Sequence, residues 1–251
     1  GNAGDALKGR QMPSHYADRR VQVVSWGSCI GSQIPQAVGA AWAARLRKEE
    51  DVAVAFMGDG ATSSAEFHTG MNFASVFKAP CLMICQNNHW GISTPTSSQT
   101  SSRTIAEKAI AYGMPYIRVD GNDALACFGA VQESAARARN GEGPTFIEML
   151  TYRIGAHSSS DDPRVYRDEN EVVEWKKRDP LNRLRTYLIS AGLWSEDQEA
   201  KARTEMDEEI VSTVTMAEKR PAPAPETLFE DVYAEMPWHL KEQAEAHLGE
   251  G

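Results

Sequence analysis

The sequence predicts an α/β fold: a parallel sheet flanked by helices on both faces, followed by a C-terminal helical extension. Two observations carry this. From residue 21 to residue 150, short β-branched runs alternate with amphipathic stretches, the pattern of strands joined by crossover helices. Beyond residue 150 the alternation stops, and the apolar residues that follow recur at helical spacing.

Strands are expected at 21–25, 52–57, 81–86, 116–120 and 145–150. The helix after the first should begin near Ser32, with Pro35 in its first turn and Ile34, Val38, Ala41 and Leu46 on or near one face. After the second strand, Ser63-Ser64-Ala65-Glu66 reads as a capping box that starts another helix. Thr104 to Glu107 repeats the signal, and Gly113 ends that segment. The stretch 151–168 is rich in Ser, Asp and Arg without apolar periodicity and reads as a loop that stays mobile until ligand binds. Helices are expected at 169–178, 181–191 and 196–219, the last with Met206, Ile210, Val214 and Ala217 in register. Pro221, Pro223 and Pro225 then break the chain before a short segment over 229–240. In domain terms, 1–168 is one α/β domain including the mobile loop, and 169–251 is a helical extension packed on it.

Composition narrows the partners. Against 26 basic residues stand 35 acidic ones, and the net charge of -9 opposes a long phosphate backbone, so no nucleic acid is expected. No apolar run is long enough to cross a bilayer, so no membrane is expected either. Cys29, Cys81, Cys85 and Cys127 lack the CxxC spacing of a zinc site and read as buried thiols. A reducing compartment follows: a bacterial cytoplasm, the favoured reading, or an organelle matrix. The chain opens at Gly1-Asn2 without an initiator Met, as if the true N-terminus lay further upstream.

The sharpest local feature is Gly58-Asp59-Gly60-Ala61-Thr62-Ser63, at the end of an apolar strand and before a capped helix. Strand ends of this kind are where open α/β sheets bind ligands. Glycines let backbone N–H groups approach an anion closely, and the helix N-terminus adds a favourable dipole. Asp59 would repel a bare phosphate, so a carboxylate in the same turn makes sense with a hard cation between the two. Taken alone, Gly-Asp-Gly reads equally well as structural punctuation. Asn87-Asn88, after the next apolar strand, supplies the second element, because Asn88 can offer an amide oxygen and the loop beyond it a backbone carbonyl.

Gly-Asp-Gly, twenty-six intervening residues and Asn-Asn together resemble the thiamine-diphosphate motif. Residues 9–16 (GRQMPSHY), 33–41 (QIPQAVGAA) and 152–162 (YRIGAHSSSDD) are similar to the α subunits of branched-chain 2-oxo acid dehydrogenases, and the likeness runs through residues 1–238. The resemblance implies the thiamine-diphosphate-binding fold for 1–168. It also implies Mg²⁺ held by the side chains of Asp59 and Asn88 and the carbonyl of Trp90. Gly58, Gly60 and Ala61 would face the diphosphate, Ile92 would prop the cofactor in its bent form, and Ser28 and Ile30 would contact the pyrimidine. Arg153 and His157 would reach the diphosphate and the reacting centre. Without the family match, His157 reads as a solvated loop histidine, Ile30 and Ile92 as core residues and Ser28 as a turn hydroxyl. His68 reads as helix surface or packing, His89 as variable loop, and His15 is left without a role.

The resemblance further implies an α₂β₂ assembly, in which a separate β subunit supplies the carboxylate that activates the pyrimidine ring. A lipoyl-bearing acyltransferase would accept the acyl group formed from a 2-oxo acid. In related mitochondrial enzymes the serine matching Ser158 is a site of inhibitory phosphorylation. Two departures stand out: Gln86 replaces an Arg found in some relatives, and Ser64-Ala65 replaces a frequent Glu-Gly. The family's helical segment before Gly1, which adds diphosphate contacts, is not in the sequence. Pyruvate or acetoin dehydrogenase α subunits share the cofactor motif, and Gln11-Met12-Pro13 with Ser158 to Asp162 favours the branched-chain group over them. An inactive α-like assembly chain is a reading of another class, opposed by intact Asp59, Asn88 and His157. A Mg²⁺-dependent phosphotransferase is opposed by the lack of a P-loop lysine motif.

Overall fold

Strands rich in apolar residues on both faces bury themselves between helices, and this ordering builds the centre of the computed structural model, which describes residues 1–230 and 233–249. The chain divides into two compact units, one of Cys29–Trp194 and the other of Gly1–Ser28 with Ser195–Gly251.

In the larger unit, β1 (Ala53–Gly58) and β2 (Cys81–Asn87) are followed by a short antiparallel hairpin, β3 (Trp90–Gly91) and β4 (Thr94–Pro95). With β5 (Tyr116–Asp120) and β6 (Thr145–Leu150), β1 and β2 form a parallel sheet in the order β1-β2-β6-β5. Helices α1 (Gln33–Leu46) and α2 (Ala65–Val76) belong with one core, which holds Ile34, Phe67, Met71, Met83 and Phe146. A short α3 (Thr96–Gln99) follows the hairpin, and α4 (Ala124–Arg139) packs on the opposite face through Ala130 and Ala138 against Leu82, Ile84 and Ile147. Helices α5 (Glu169–Lys176) and α6 (Pro180–Ser190) complete this unit. The two-faced parallel sheet is the fold class expected.

The smaller unit carries α7 (Glu196–Glu218) and α8 (Trp238–Leu248). Asn2 Nδ2 donates to the Ala217 carbonyl at 2.7 Å, and Arg10 donates to the carbonyls of Thr227 and Glu230. These bonds tie the first residues of the chain to the end of α7 and to the segment that follows it.

Several expectations need correction. Residues 21–25 form no strand: Val21, Val23 and Val24 are exposed, and Gln22 adopts a left-handed φ of 56° after a 3₁₀ turn over Arg19–Val21. Only an isolated bridge, Asp18 to Val23, survives there, because β propensity needs a neighbouring strand to pack against. Leu46 is exposed and Ala44 takes the fourth buried position of α1. The helix after β1 is capped one residue later than expected, by Ser64 Oγ accepting from Phe67 N, so Ser63 and Glu66 do not form the box. Thr104 and Gly113 do bound a helical segment, but it is a 3₁₀ helix over Ala106–Tyr112. In place of one segment over 229–240 there are a 3₁₀ turn at Pro225–Leu228 and α8, with Asp231 and Val232 outside the described residues. Cys81 and Cys85 are buried as expected, but Cys29 is exposed and Cys127 half-buried. Met206, Ile210 and Val214 of α7 are exposed as well.

Gly70 sets how closely α1 and α2 pack. A Cβ there would lie 2.6 Å from Ile34 Cγ2, and Ile34 is fully buried with a branched, stiff side chain. Gly70→Ala is therefore expected to cost about 1–3 kcal/mol by overpacking. Thermal unfolding should show a Tm lower by several degrees; an unchanged or raised Tm would mean the helices separate freely.

Candidate active site

Parallel pairing sets Gly58 opposite Gln86, so Asp59 and the Asn87-Asn88 pair leave the same end of adjacent strands. Asp59 is 2% exposed and opens a 3₁₀ turn over Gly60–Ser63. This turn separates Asp59 from the N-terminus of α2. Neither Gly58 nor Gly60 takes a left-handed φ. What they leave is room: a Cβ on Gly58 would meet nothing within 4 Å, and one on Gly60 only atoms at 3.7 Å. Ala61 is buried beneath the turn.

The two strand ends are cross-braced by α3. Gln99 Nε2 donates to Asp59 Oδ2 at 2.9 Å, while Thr96 Oγ1 lies 3.5 Å from Asp59 Oδ2 and 3.4 Å from Asn87 Oδ1. Asn87 Oδ1 accepts from His89 N and Asn88 Oδ1 accepts from Trp90 N, so two consecutive side chains hold one tight turn. Within it His89 has φ 72° and Ile92 φ 58°. A β-branched residue in the left-handed region is strained, and strain of this kind persists only where the surroundings impose it. Ile92 is also 56% exposed, which removes it from the core role that periodicity suggested.

Arg153 is the main imposer. Its guanidinium donates to the Trp90 carbonyl at 3.2 Å, the Ile92 carbonyl at 2.7 Å and the Tyr166 hydroxyl at 2.7 Å. Asp161 Oδ2 accepts from the Tyr166 hydroxyl and from His157 N, and lies 4.0 Å from Arg153 Nη2. The Tyr166 hydroxyl first, then the His157 N–H, hold the Asp161 carboxyl below its ordinary range. Arg167 donates to the carbonyls of Arg153 and Ile154, so stretch 151–168 is organised around two arginines. His157 and Ser158 are exposed on its surface. Val165 is 82% exposed, and Tyr166 anchors the segment through its hydroxyl.

Behind the turn, Tyr152 stacks on Trp175 of α5 at 5.3 Å, and His89 packs against both rings. Burial pulls the His89 pKa down, favouring a neutral ring there. Lys108 donates to the Thr62 carbonyl and hydroxyl beneath the Gly60 turn, and burial lowers its pKa. Cys81 and Cys85 in β2 are inert as nucleophiles, since burial pushes Cys81 up to about 12 and Cys85 well above the ordinary thiol. Ile30 lies exposed just before α1. Ser28 belongs to the smaller unit, where its hydroxyl is 2.6 Å from Nε2 of the buried His15.

The residues present suit a hard cation. Asp59, Asn88 and the Trp90 carbonyl offer only oxygens, and the Trp90 carbonyl keeps a second lone pair while accepting from Arg153. Among the described residues no group of three or more His, Cys, Asp or Glu is placed to hold a metal by itself. A cation here would complete its shell with oxygens of a ligand or water.

Residues 1–226 match the family model described as "Dehydrogenase E1 component". The chain belongs to that dehydrogenase family. It is 44% identical to the human protein named 2-oxoisovalerate dehydrogenase subunit alpha, mitochondrial, over 247 residues, 98% of this chain and 56% of the relative. Subunit alpha 2 of the same enzyme from Arabidopsis thaliana is 44% identical over 244 residues, 97% of this chain and 52% of the relative. The pyruvate dehydrogenase E1 component subunit alpha of Acholeplasma laidlawii is 46% identical over 229 residues, 90% of this chain and 66% of the relative. The chain spans about half the length of the 2-oxoisovalerate dehydrogenase relatives it matches.

In this E1 dehydrogenase chain, sequence reasoning passed over Thr96, Gln99 and Glu148. Thr96 and Gln99 sit in a four-residue helix with no periodicity to announce it. Glu148 carried a signal, a lone charge inside the apolar run 145–150.

Proposed function

We propose that this chain is the α component of a thiamine-diphosphate- and Mg²⁺-dependent 2-oxo acid dehydrogenase that decarboxylates a branched-chain 2-oxo acid and passes the acyl group to a lipoyl carrier. The observation that carries the reading is the turn joining β2 to the β3–β4 hairpin. It leaves the same end of the sheet as the buried Asp59, carries Asn88 and leads into Trp90, and the hairpin beyond it holds Ile92 at a left-handed φ, an arrangement that supports a shared site. Asp59, Asn88 and the Trp90 carbonyl would hold Mg²⁺, and the open backbone at Gly58 and Gly60, with Ala61 next to it, would receive the diphosphate. Ile92 would support the cofactor's bend from the hairpin, with Ile30 at its pyrimidine. Arg153 and His157 bring positive charge and a proton-carrying ring from the 151–168 segment towards the diphosphate and the reacting carbon. When bound, thiamine diphosphate supplies the electron sink that decarboxylation of a 2-oxo acid requires.

No side chain of this chain is assigned the carboxylate that must press on the pyrimidine, so we place that group on a β partner in an α₂β₂ assembly. A lipoyl-bearing acyltransferase is the acceptor. The buried thiols suit a reducing compartment, bacterial cytoplasm or mitochondrial matrix. Among the described residues no helix is long and apolar enough to cross a membrane.

The chain purified alone is expected to show no decarboxylation with saturating Mg²⁺ and cofactor, and to gain it on adding its β partner, faster with 2-oxoisovalerate than with pyruvate. Turnover by a pure α chain would refute the shared site. The pyruvate-specific reading is supported by the Acholeplasma relative, and the same assay separates the two: preference for pyruvate would replace the branched-chain substrate.

A further inference from the structure

We propose that Glu148 is a positioning residue for the metal-holding turn, acting through the amide of Asn87; the proposal rests on the cofactor reading above.

Glu148 is 0% exposed in the middle of β6, between Phe146, Ile147 and Met149. Taking a carboxylate out of water costs several kcal/mol, and an apolar side chain of similar volume usually serves stability as well or better. The fold alone therefore has little use for it. Its two oxygens are nonetheless occupied: Oε1 accepts from Asn87 Nδ2 at 2.8 Å, and Oε2 accepts from Ala106 N at 2.8 Å with Arg118 Nε at 3.5 Å. One side chain thus joins the end of β2, the start of the 3₁₀ helix Ala106–Tyr112, and β5.

The consequence for the site follows from donor and acceptor chemistry. An ionised carboxylate only accepts, so Asn87 must present its NH₂ group to Glu148. Its Oδ1 is then turned towards the hairpin, where it accepts from His89 N at 3.0 Å and meets the Thr96 hydroxyl at 3.4 Å. Thr96 and Gln99 in turn reach Asp59 Oδ2. Freed from Glu148, the amide could flip, and a flipped Asn87 would set an NH₂ against His89 N–H. The turn carrying Asn88 and Trp90, with His89 and Ile92 at positive φ, would lose the bond that holds it. Glu148 touches neither metal nor cofactor and acts on both by fixing that orientation.

The test uses the chain assembled with its β partner. Calorimetry reads the Kd for thiamine diphosphate at fixed Mg²⁺, and thermal unfolding without cofactor reads stability. Glu148→Gln, which pits an NH₂ against either Asn87 Nδ2 or Ala106 N, should weaken cofactor binding by roughly 10–100-fold, the usual cost of losing a group that orients a ligand. Asn87→Asp, which sets two carboxylates against each other, should do the same. The double variant Glu148→Gln with Asn87→Asp restores a donor facing an acceptor and leaves Ala106 N an acceptor, so it should recover most of the affinity. Affinity lost at temperatures where the cofactor-free variants are still fully folded marks positioning; affinity lost only where a lowered Tm leaves the variants unfolded would mark a purely structural role and overturn the proposal. Wild-type affinity in both single variants, or a double variant no better than either, overturns the role of Glu148. A wild-type complex that binds no thiamine diphosphate in Mg²⁺ overturns the cofactor reading itself, and this proposal with it.

Discussion

Asp59→Ala is expected to abolish Mg²⁺-dependent binding of thiamine diphosphate by the assembled complex. In the proposed metal site Asp59 supplies the charged ligand, and the other two members, the Asn88 amide and the Trp90 carbonyl, are neutral. Two unit charges about 4 Å apart near a protein surface interact by about 4 kcal/mol, close to a thousandfold in affinity. Without the carboxylate the cation loses that attraction, and the diphosphate faces the turn with no bridging charge. Asn88→Ala should act in the same direction but less severely, because water can replace a neutral oxygen. Asp59→Asn separates charge from architecture, since an amide oxygen can still accept from Gln99 Nε2; it should bind nearly as poorly as the alanine variant. Calorimetry decides the matter: near-wild-type affinity in Asp59→Ala would refute the metal assignment.

What the sequence made legible is what local chemistry determines. Apolar runs bounded by turn residues locate β1, β2, β5 and β6 to within a residue or two at each end, and the helical segments expected over 169–178, 181–191 and 196–219 correspond to α5, α6 and α7. The strand expected at 21–25 failed for a non-local reason. Val21, Val23 and Val24 have β-branched side chains but no neighbouring strand, so the run ends as an exposed turn with one bridge. The site divides the same way. Gly-Asp-Gly and Asn-Asn are turn sequences and could be read directly, whereas their supports come from far along the chain. Gln99 is 40 residues from Asp59 and Glu148 is 61 from Asn87. No periodicity reports such pairings; only the parallel register, which sets Cys85 beside Glu148 and Gly58 beside Gln86, brings them together. The stretch 151–168 shows no apolar periodicity because its anchors are polar: Arg153 on backbone carbonyls, and Tyr166 on Asp161.

Arg153→Met is expected to lower turnover of the assembled complex by about 100-fold or more and to open the 151–168 segment to protease. The Arg153 side chain is 12% exposed, and its guanidinium serves three acceptors at once, the carbonyls of Trp90 and Ile92 and the Tyr166 hydroxyl, beside the Asp161 carboxylate. Hydrogen bonds to a charged group are worth about 1.5–3 kcal/mol each, so losing even two of them exceeds the strain of about 1–3 kcal/mol held at Ile92. The hairpin is then free to relax φ at Ile92 and to move the Trp90 carbonyl, while Asp161 loses its nearby cation and Tyr166 one of its partners. The hairpin after Asn88 and the 151–168 loop should fail together, because one side chain holds both. Arg153→Lys keeps the charge but not the planar fork that reaches several acceptors, so it should recover only a fraction of the activity. Kinetics and limited proteolysis on the same preparations give the discriminating result. A methionine variant with wild-type turnover and an uncut 151–168 segment would show that the two parts are secured independently of Arg153.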